Sequence, residues 1–241
     1  MSGTDLAAPA RPPARVDPLS GAVSVLIVEN HEMLAEALHL ALSARGYSCR
    51  VAQLSGREAV LEQAAEFRPD LVLLDLFLDD ADGLELVGGL RATGARVLVV
   101  TGCNDEGHVA AALALGASGS VSKAQPFECL LDAAEAVLRN RPLMADADYL
   151  ELVRRGRERL QLEQGIKQKL AQLTSRERQV LWALSEGESA GDIAQAFFVS
   201  VGTVRTHIQG ILGKLGVSSQ LAAVAMARLM LSPDGAAPRA G

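Results

Sequence analysis

The 241-residue sequence predicts an α/β domain, a parallel sheet covered on both faces by helices, joined by a charged helical linker to a small all-α module. Three observations carry this. Between residues 23 and 140, apolar runs of strand length alternate with stretches of helical patterning. From Leu173 onward the chain is punctuated instead by closely spaced helix-start signals. The charge is also unevenly divided: residues 23–140 hold 8 Lys/Arg against 17 Asp/Glu, a net of −9, while residues 141–169 net +2 and residues 170–231 net +1, within a whole-chain value of −6. The acidic average therefore does not exclude a nucleic-acid partner, because the acidity belongs to one part of the chain.

Taken in order, the first 22 residues lack the unbroken apolar core of a signal peptide and read as a disordered Pro/Ala-rich tail, as do residues 232–241. Val23–Val28 (VSVLIV) is a continuous apolar run, as expected of a strand buried on both faces. Leu34–Leu42 has apolar residues at helical spacing. Asp70–Leu74 (DLVLL) and Ala95–Val100 (ARVLVV) are further buried runs, and helical stretches fall near 55–67, 83–92, 105–115 and 126–139. Parallel strands need crossover helices, which cover the sheet, and ligand chemistry in such folds gathers at the C-terminal strand ends.

Chemically versatile residues stand at those ends. Glu29, Asn30 and His31 follow the first run, Asp75 follows DLVLL, with Asp79, Asp80 and Asp82 after it, Thr101 follows VLVV, and Lys123 follows GASGSVS. Carboxylates from two strand ends, a hydroxyl and a lysine converging on one aspartate suit phosphoryl transfer. Hard oxygen ligands hold Mg²⁺, Thr and Lys stabilise phosphoryl oxygens, and the Asp75 carboxylate is the nucleophile that forms an acyl phosphate.

Over residues 23–140 the sequence resembles a response-regulator receiver domain, through Asp75 in DLVLLDLFLDDADGLEL, Thr101 in VLVVTG and Lys123 in GSVSKAQP. The resemblance implies a flavodoxin-like, doubly wound five-stranded sheet with Asp75 as phosphoacceptor, Thr101 and Lys123 stabilising the phosphoryl group, and Mg²⁺ held by Glu29, Asn30, Asp75 and the Phe77 backbone carbonyl. There are departures. Such domains carry two acids after the first strand; here the second is Asn30, and fewer ligand charges weaken the hold on a hard cation. Asp79 replaces a usual proline, and Ser120 stands where an aromatic often serves as a switch.

Residues 141–169 are rich in helix formers, with Leu150, Val153 and Leu160 able to line one side. Gly156 and Gly165 weaken a coiled-coil seam, leaving a charged helical linker. In residues 170–231, Thr174 with Glu177 forms a capping box, Ser189 with Asp192 a weaker one, and Ser200 caps a third helix. The stretches 189–197 and 202–215 about a turn at 198–201 make a helix-turn-helix. In its second helix Val204, Ile208, Ile211, Leu212 and Leu215 form the core stripe, with Arg205, Thr206, Gln209 and Gly213 opposite. Arg can take guanine bidentately and Gln adenine.

Residues 173–230 resemble a LuxR-type helix-turn-helix (LTSRERQVLWALSEGESAGDIAQAFFVSVGTVRTHIQGILGKLGVSSQLAAVAMARL), and both halves together resemble the NarL/FixJ group of response regulators. This implies a four-helix module in which Arg205, Thr206 and Gln209 reach base edges, Ser200, Thr203 and Lys214 meet phosphates, and the helix near 218–230 gives dimer contacts. The module is short of basic residues, so a monomer should bind DNA weakly and a homodimer should take an inverted-repeat operator.

The expected function is thus a cytoplasmic, non-enzymatic transcription regulator whose receiver, phosphorylated at Asp75 by a sensor histidine kinase, controls dimerisation, operator binding and contact with RNA polymerase. The alternatives are an orphan regulator active without phosphorylation, an interaction adaptor, and an Asp-nucleophile phosphohydrolase. Against the last, Phe77 stands where such enzymes place an acid/base carboxylate. No apolar run approaches the ~18–20 residues that span a bilayer. Cys49, Cys103 and Cys129 form no close-spaced pair, which fits a reducing compartment.

Overall fold

A computed structural model describes residues 23–79, 82–102 and 106–230. The expected terminal tails, Asp80 and Cys103 lie outside the described residues. The chain divides into two compact units between Arg159 and Leu160.

The first unit alternates strand and helix: β1 (Ser24–Val28), α1 (Glu32–Ala44), β2 (Ser48–Val51), α2 (Arg57–Phe67), β3 (Leu71–Leu74), α3 (Gly83–Ala92), β4 (Arg96–Thr101), α4 (Glu106–Ala114), β5 (Gly119–Ser122) and α5 (Phe127–Leu138). The strands pair in parallel in the order β2-β1-β3-β4-β5. This is the doubly wound order whose direction reverses beside β1, the place where such sheets bind ligands. β3 and β4 are buried at every residue, which is why their sequences are unbroken apolar runs. One core face joins Val25, Ile27, Leu71, Leu73 and Leu98 to Leu38 and Leu42 of α1 and Leu131 of α5. The alternate residues Leu26, Val28, Val72 and Leu74 are equally buried, as are Val60, Ala64, Leu86 and Leu90 of α2 and α3. β2 (SCRV) is half exposed at the sheet edge and has no apolar run by which to be read.

α6 (Asp146–Ala171) is one 26-residue helix that begins in the first unit and ends in the second. Its packed side differs from the stripe expected of it. Leu150 is 57% exposed, whereas Val153 is buried. The reason lies at Gly156: a Cβ there would stand 2.0 Å from the Ala110 carbonyl oxygen, so α6 and α4 approach at a distance only glycine permits. Tyr149 Oη donates to Ala117 O at 3.5 Å. The glycine that weakens the helix as an isolated segment is the one that lets it dock.

In the second unit, α7 (Ser175–Ser185), α8 (Ala190–Ala196), α9 (Val201–Leu215) and α10 (Gln220–Met230) enclose Leu173, Val180, Leu184, Ile193, Val204, Ile211, Leu215, Ala223 and Ala227. Both capping boxes are complete, Ser189–Asp192 included. Ser200 caps α9 by accepting from Thr203 N at 3.0 Å. Gly216, at φ +68°, ends that helix in the left-handed conformation that favours glycine.

Candidate functional site

Parallel pairing delivers four strand ends to one place. Glu29 and Asp75 directly follow β1 and β3, Thr101 ends β4, and Lys123 directly follows β5. The ladder continues past the strands: Asp75 N donates to Val28 O and Lys123 N to Thr101 O, each at 2.9 Å. The loop after Asp75 then folds back tightly, with Gly83 N donating to Leu76 O at 3.1 Å. A Cβ on Gly83 would meet the Asp75 carbonyl oxygen at 2.2 Å, so this position requires glycine. Asp82 caps α3 by accepting from Leu84 N at 2.9 Å.

At the centre, Lys123 Nζ donates to Asp75 Oδ2 at 2.7 Å and to Glu29 at 2.7 Å. The Phe77 amide donates to Asp75 Oδ1 at 3.1 Å. Both carboxylates are buried. Two buried acids thus share one ammonium. Burial pushes the Asp75 carboxyl above its ordinary range; the Lys123 ammonium and the Phe77 amide oppose the shift, and the Glu29 charge adds to it. Thr101 is buried at the neighbouring strand end.

Asn30 donates from Nδ2 to Asp79 Oδ1 at 3.1 Å, while its Oδ1 is buried without a hydrogen-bond partner. Asp79 therefore engages Asn30 from the loop after Asp75. An orphaned amide oxygen on the residue after buried Glu29 fits a divalent cation among the oxygen ligands of this cluster. His31, which the sequence places at the same strand end without assigning it a partner, joins the cluster: its backbone N–H and its ring Nδ1 lie 3.0 and 2.8 Å from Glu29 Oε1. The only sequence signal was its position after Asn30 at the start of a helix. Phe77 places its ring 5.3 Å from that of His108. A cleft lined by Thr101, Ser120 and Ser122 is also lined by Leu152 and Arg155 of α6, all within the first unit.

In the second unit, α9 turns Thr203, Arg205, Thr206 and Gln209 to solvent, opposite buried Val204 and Ile211. Thr206 Oγ1 donates to Gly202 O at 3.1 Å, and the Ser200 hydroxyl also lies 2.9 Å from Thr203 Oγ1. Lys214 is placed differently: its ammonium donates to Glu177 Oε2 at 2.6 Å. Glu177 also accepts from Thr174 N at 2.7 Å, and these two donors, Lys214 first, hold its carboxyl below the ordinary range. The turn before α9 carries Phe198 at φ +53°, 96% exposed, next to Phe197, whose ring lies 4.0 Å beneath the Arg176 guanidinium.

Residues 25–135 match the family model of the response regulator receiver domain, and residues 171–227 that of bacterial regulatory proteins of the luxR family. The response regulator protein VraR of Staphylococcus aureus is 30% identical over 205 residues, covering 84% of this chain and 94% of VraR. Among solved structures, that of the two-component response regulator RcsB in complex with DNA is similar over 86% of this chain and 98% of its own, at 19% identity and a TM-score of 0.47. A two-component response regulator of the LuxR family from Aurantimonas sp. matches 57% of this chain and 99% of its own, at 26% identity and a TM-score of 0.47.

Proposed function

Because the chain belongs to the response regulators that join a receiver domain to a luxR-family DNA-binding module, a family of transcription regulators rather than enzymes, we propose that phosphorylation of Asp75 sets its dimerisation and operator binding. The observation that carries this reading is the buried Asp75 carboxylate at a strand end, held at 2.7 Å by Lys123 beside Thr101. The donor is a sensor kinase phosphohistidine. Asp75 Oδ attacks phosphorus, an O–P bond forms, the P–N bond breaks, and the imidazole leaves with the electron pair and takes up a proton. Lys123 then exchanges a carboxylate oxygen for a phosphoryl oxygen, and the Thr101 hydroxyl donates to another. Receiver domains typically bind Mg²⁺ at such an acidic cluster. Here Glu29, Asp75 and the Phe77 carbonyl would hold it, with only the Asn30 amide where a second acid is usual, and the ion supplies positive charge to the phosphoryl oxygens.

In this reading phosphorylation draws Thr101 toward the phosphoryl group, Thr101 lines a cleft that Leu152 and Arg155 of α6 also line, and α6 carries the change toward the DNA-binding module. In this reading residues 23–140 are the receiver, 141–169 the linker and 170–231 the DNA-binding module. Arg205, Thr206 and Gln209 read bases, while Ser200 and Thr203 meet phosphates. Lys214, which pairs with Glu177, is a further phosphate contact in this reading. The module's net charge of +1 makes two copies on an inverted repeat necessary for useful affinity. The cytoplasm, where RNA polymerase is met, is the expected location; among the described residues no single helix is long and apolar enough to cross a membrane.

A second reading, regulation without phosphorylation, is favoured by Asn30 and Ser120. Acetyl phosphate with Mg²⁺, read by intact mass, separates the two. A phosphoryl adduct absent from Asp75→Asn supports the first, and no adduct supports the second.

A further inference from the structure

We propose that the cleft between α1 and the edge strand β2 is a binding site separate from the Asp75 pocket, and that it takes a small organic cation, an alkyl- or aralkylamine. The cleft has a volume of about 660 Å³, which falls within the ordinary range for small-ligand pockets. One wall is apolar: Ala35 of α1, Val51 at the end of β2, and Ala52 and Leu54 after it. Small side chains at 35 and 52 leave the space open. Val51, 38% exposed, offers apolar surface to a ligand's hydrocarbon part. Cys49 also lines the cleft; burial pushes its thiol up, so it stays protonated and adds apolar contact rather than a nucleophile.

The other wall is polar and set by helical spacing: Glu32, Glu36 and His39 follow one another along one face of α1. His39 shows that a partner is missing. Its Nδ1 is buried with no hydrogen-bond partner, a condition that buried polar atoms rarely keep. The residue as a whole is only half-buried, so rotation about Cβ–Cγ carries Nδ1 to the cleft, where an ammonium N–H supplies what it lacks. The charges select the sign of the ligand. Among the described residues the Glu32 and Glu36 carboxylates have no ion-pair partner. Arg50 lines the cleft too, but its guanidinium is engaged by Glu66 at 3.4 Å and by the Phe67 ring at 4.5 Å. The free lining charge is therefore negative. At its far end the cleft meets Asn30 and Asp79, themselves hydrogen-bonded at 3.1 Å, so an occupant touches the loop that follows Asp75 and gives the receiver an input needing no kinase.

The inference does not rest on phosphorylation of Asp75. Phenethylamine is titrated into the full chain by isothermal calorimetry, with and without Mg²⁺, and phenylacetate serves as the anion of similar shape. One amine per chain is expected, with the same affinity in Mg²⁺, and phenylacetate should bind at least about tenfold more weakly. Glu36→Lys, at an exposed position, should weaken the amine by about tenfold, while Glu58→Lys, on α2 and outside the cleft, should not. Val51→Trp, which fills the cleft from the exposed edge, should abolish binding; circular dichroism and melting temperature verify that each variant is folded. No binding of the amine, equal binding of phenylacetate, or unchanged affinity in both cleft variants would overturn the proposal. Displacement of the amine by Mg²⁺ would overturn it as well, by placing the probe in the Asp75 pocket. Acetyl phosphate labelling reports on Asp75 separately, so failure of one reading is visible without failure of the other.

Discussion

Replacing Gly156 by alanine should destabilise the first unit, although the same change in a free helix stabilises it. In a helix interior Gly→Ala gains about 1 kcal/mol. At position 156, however, the added methyl would stand 2.0 Å from Ala110 O and 2.4 Å from the Ala110 carbonyl carbon, both backbone atoms that cannot swing aside. Restoring ordinary contact requires α6 and α4 to part by more than about 1 Å, and overpacking of this kind costs about 1–3 kcal/mol. With backbone as the obstacle the upper half of that range applies, giving a net loss of about 1–2 kcal/mol. For a unit of this size that lowers its melting temperature by roughly 3–8 °C. Gly165 is the internal control: it lies in the same helix, and a Cβ there meets nothing within 4 Å, so Gly165→Ala should gain up to about 1 kcal/mol. Thermal unfolding followed by far-UV circular dichroism compares the two. If Gly156→Ala stabilises the protein as Gly165→Ala does, α6 is not docked on α4 as described.

Asp75→Asn should stabilise the fold at neutral pH. The folded-state pKa of Asp75 is raised by burial, so the native state binds more protons than the unfolded one between the two values. Its penalty is absent at low pH and is established as pH rises through the folded value, so the stability gain of the variant should vanish in acid; urea titrations across pH would show it. Glu177→Gln should cost about 1–2 kcal/mol, since it weakens a capping box and removes the partner of Lys214. Because the Glu177 pKa is lowered, that contribution is present above its ordinary value and is lost as pH falls through the folded one, which Trp182 fluorescence during unfolding can follow. Arg205→Ala should weaken operator binding by about 1–3 kcal/mol and relax sequence preference at one base pair in a gel-shift series; unaltered preference would remove Arg205 from the groove.

How far the sequence revealed all this depends on physical locality. β1, β3 and β4 are readable because burial on both faces leaves only apolar residues. β2 (SCRV) and β5 (GSVS) carry no such run, since an edge strand and a small-residue strand are defined by their neighbours. Asp75, Thr101 and Lys123 are legible because a parallel sheet gathers residues that follow its strands. His31 also follows a strand, but its pairing with Glu29 is not legible, because a single histidine at a helix start has no period or spacing to mark a partner. The Lys214–Glu177 pair spans 37 positions between two helices, and the α9 pattern alone leaves that lysine facing outward. Gly156 shows the same limit from the other side: helix propensity describes the isolated segment, while the Ala110 backbone that makes glycine necessary comes from another helix.

Phosphorylation of Asp75 is proposed to govern where this protein sits on DNA. Genome-wide mapping of its binding sites in the native host, in parallel with an Asp75→Asn strain producing equal amounts of protein, tests this most directly. Discrete sites with an inverted-repeat sequence are expected in the parent strain, with a marked loss of occupancy at those sites in the variant. Equal occupancy in both strains would contradict it and leave a regulator whose receiver acts without phosphorylation.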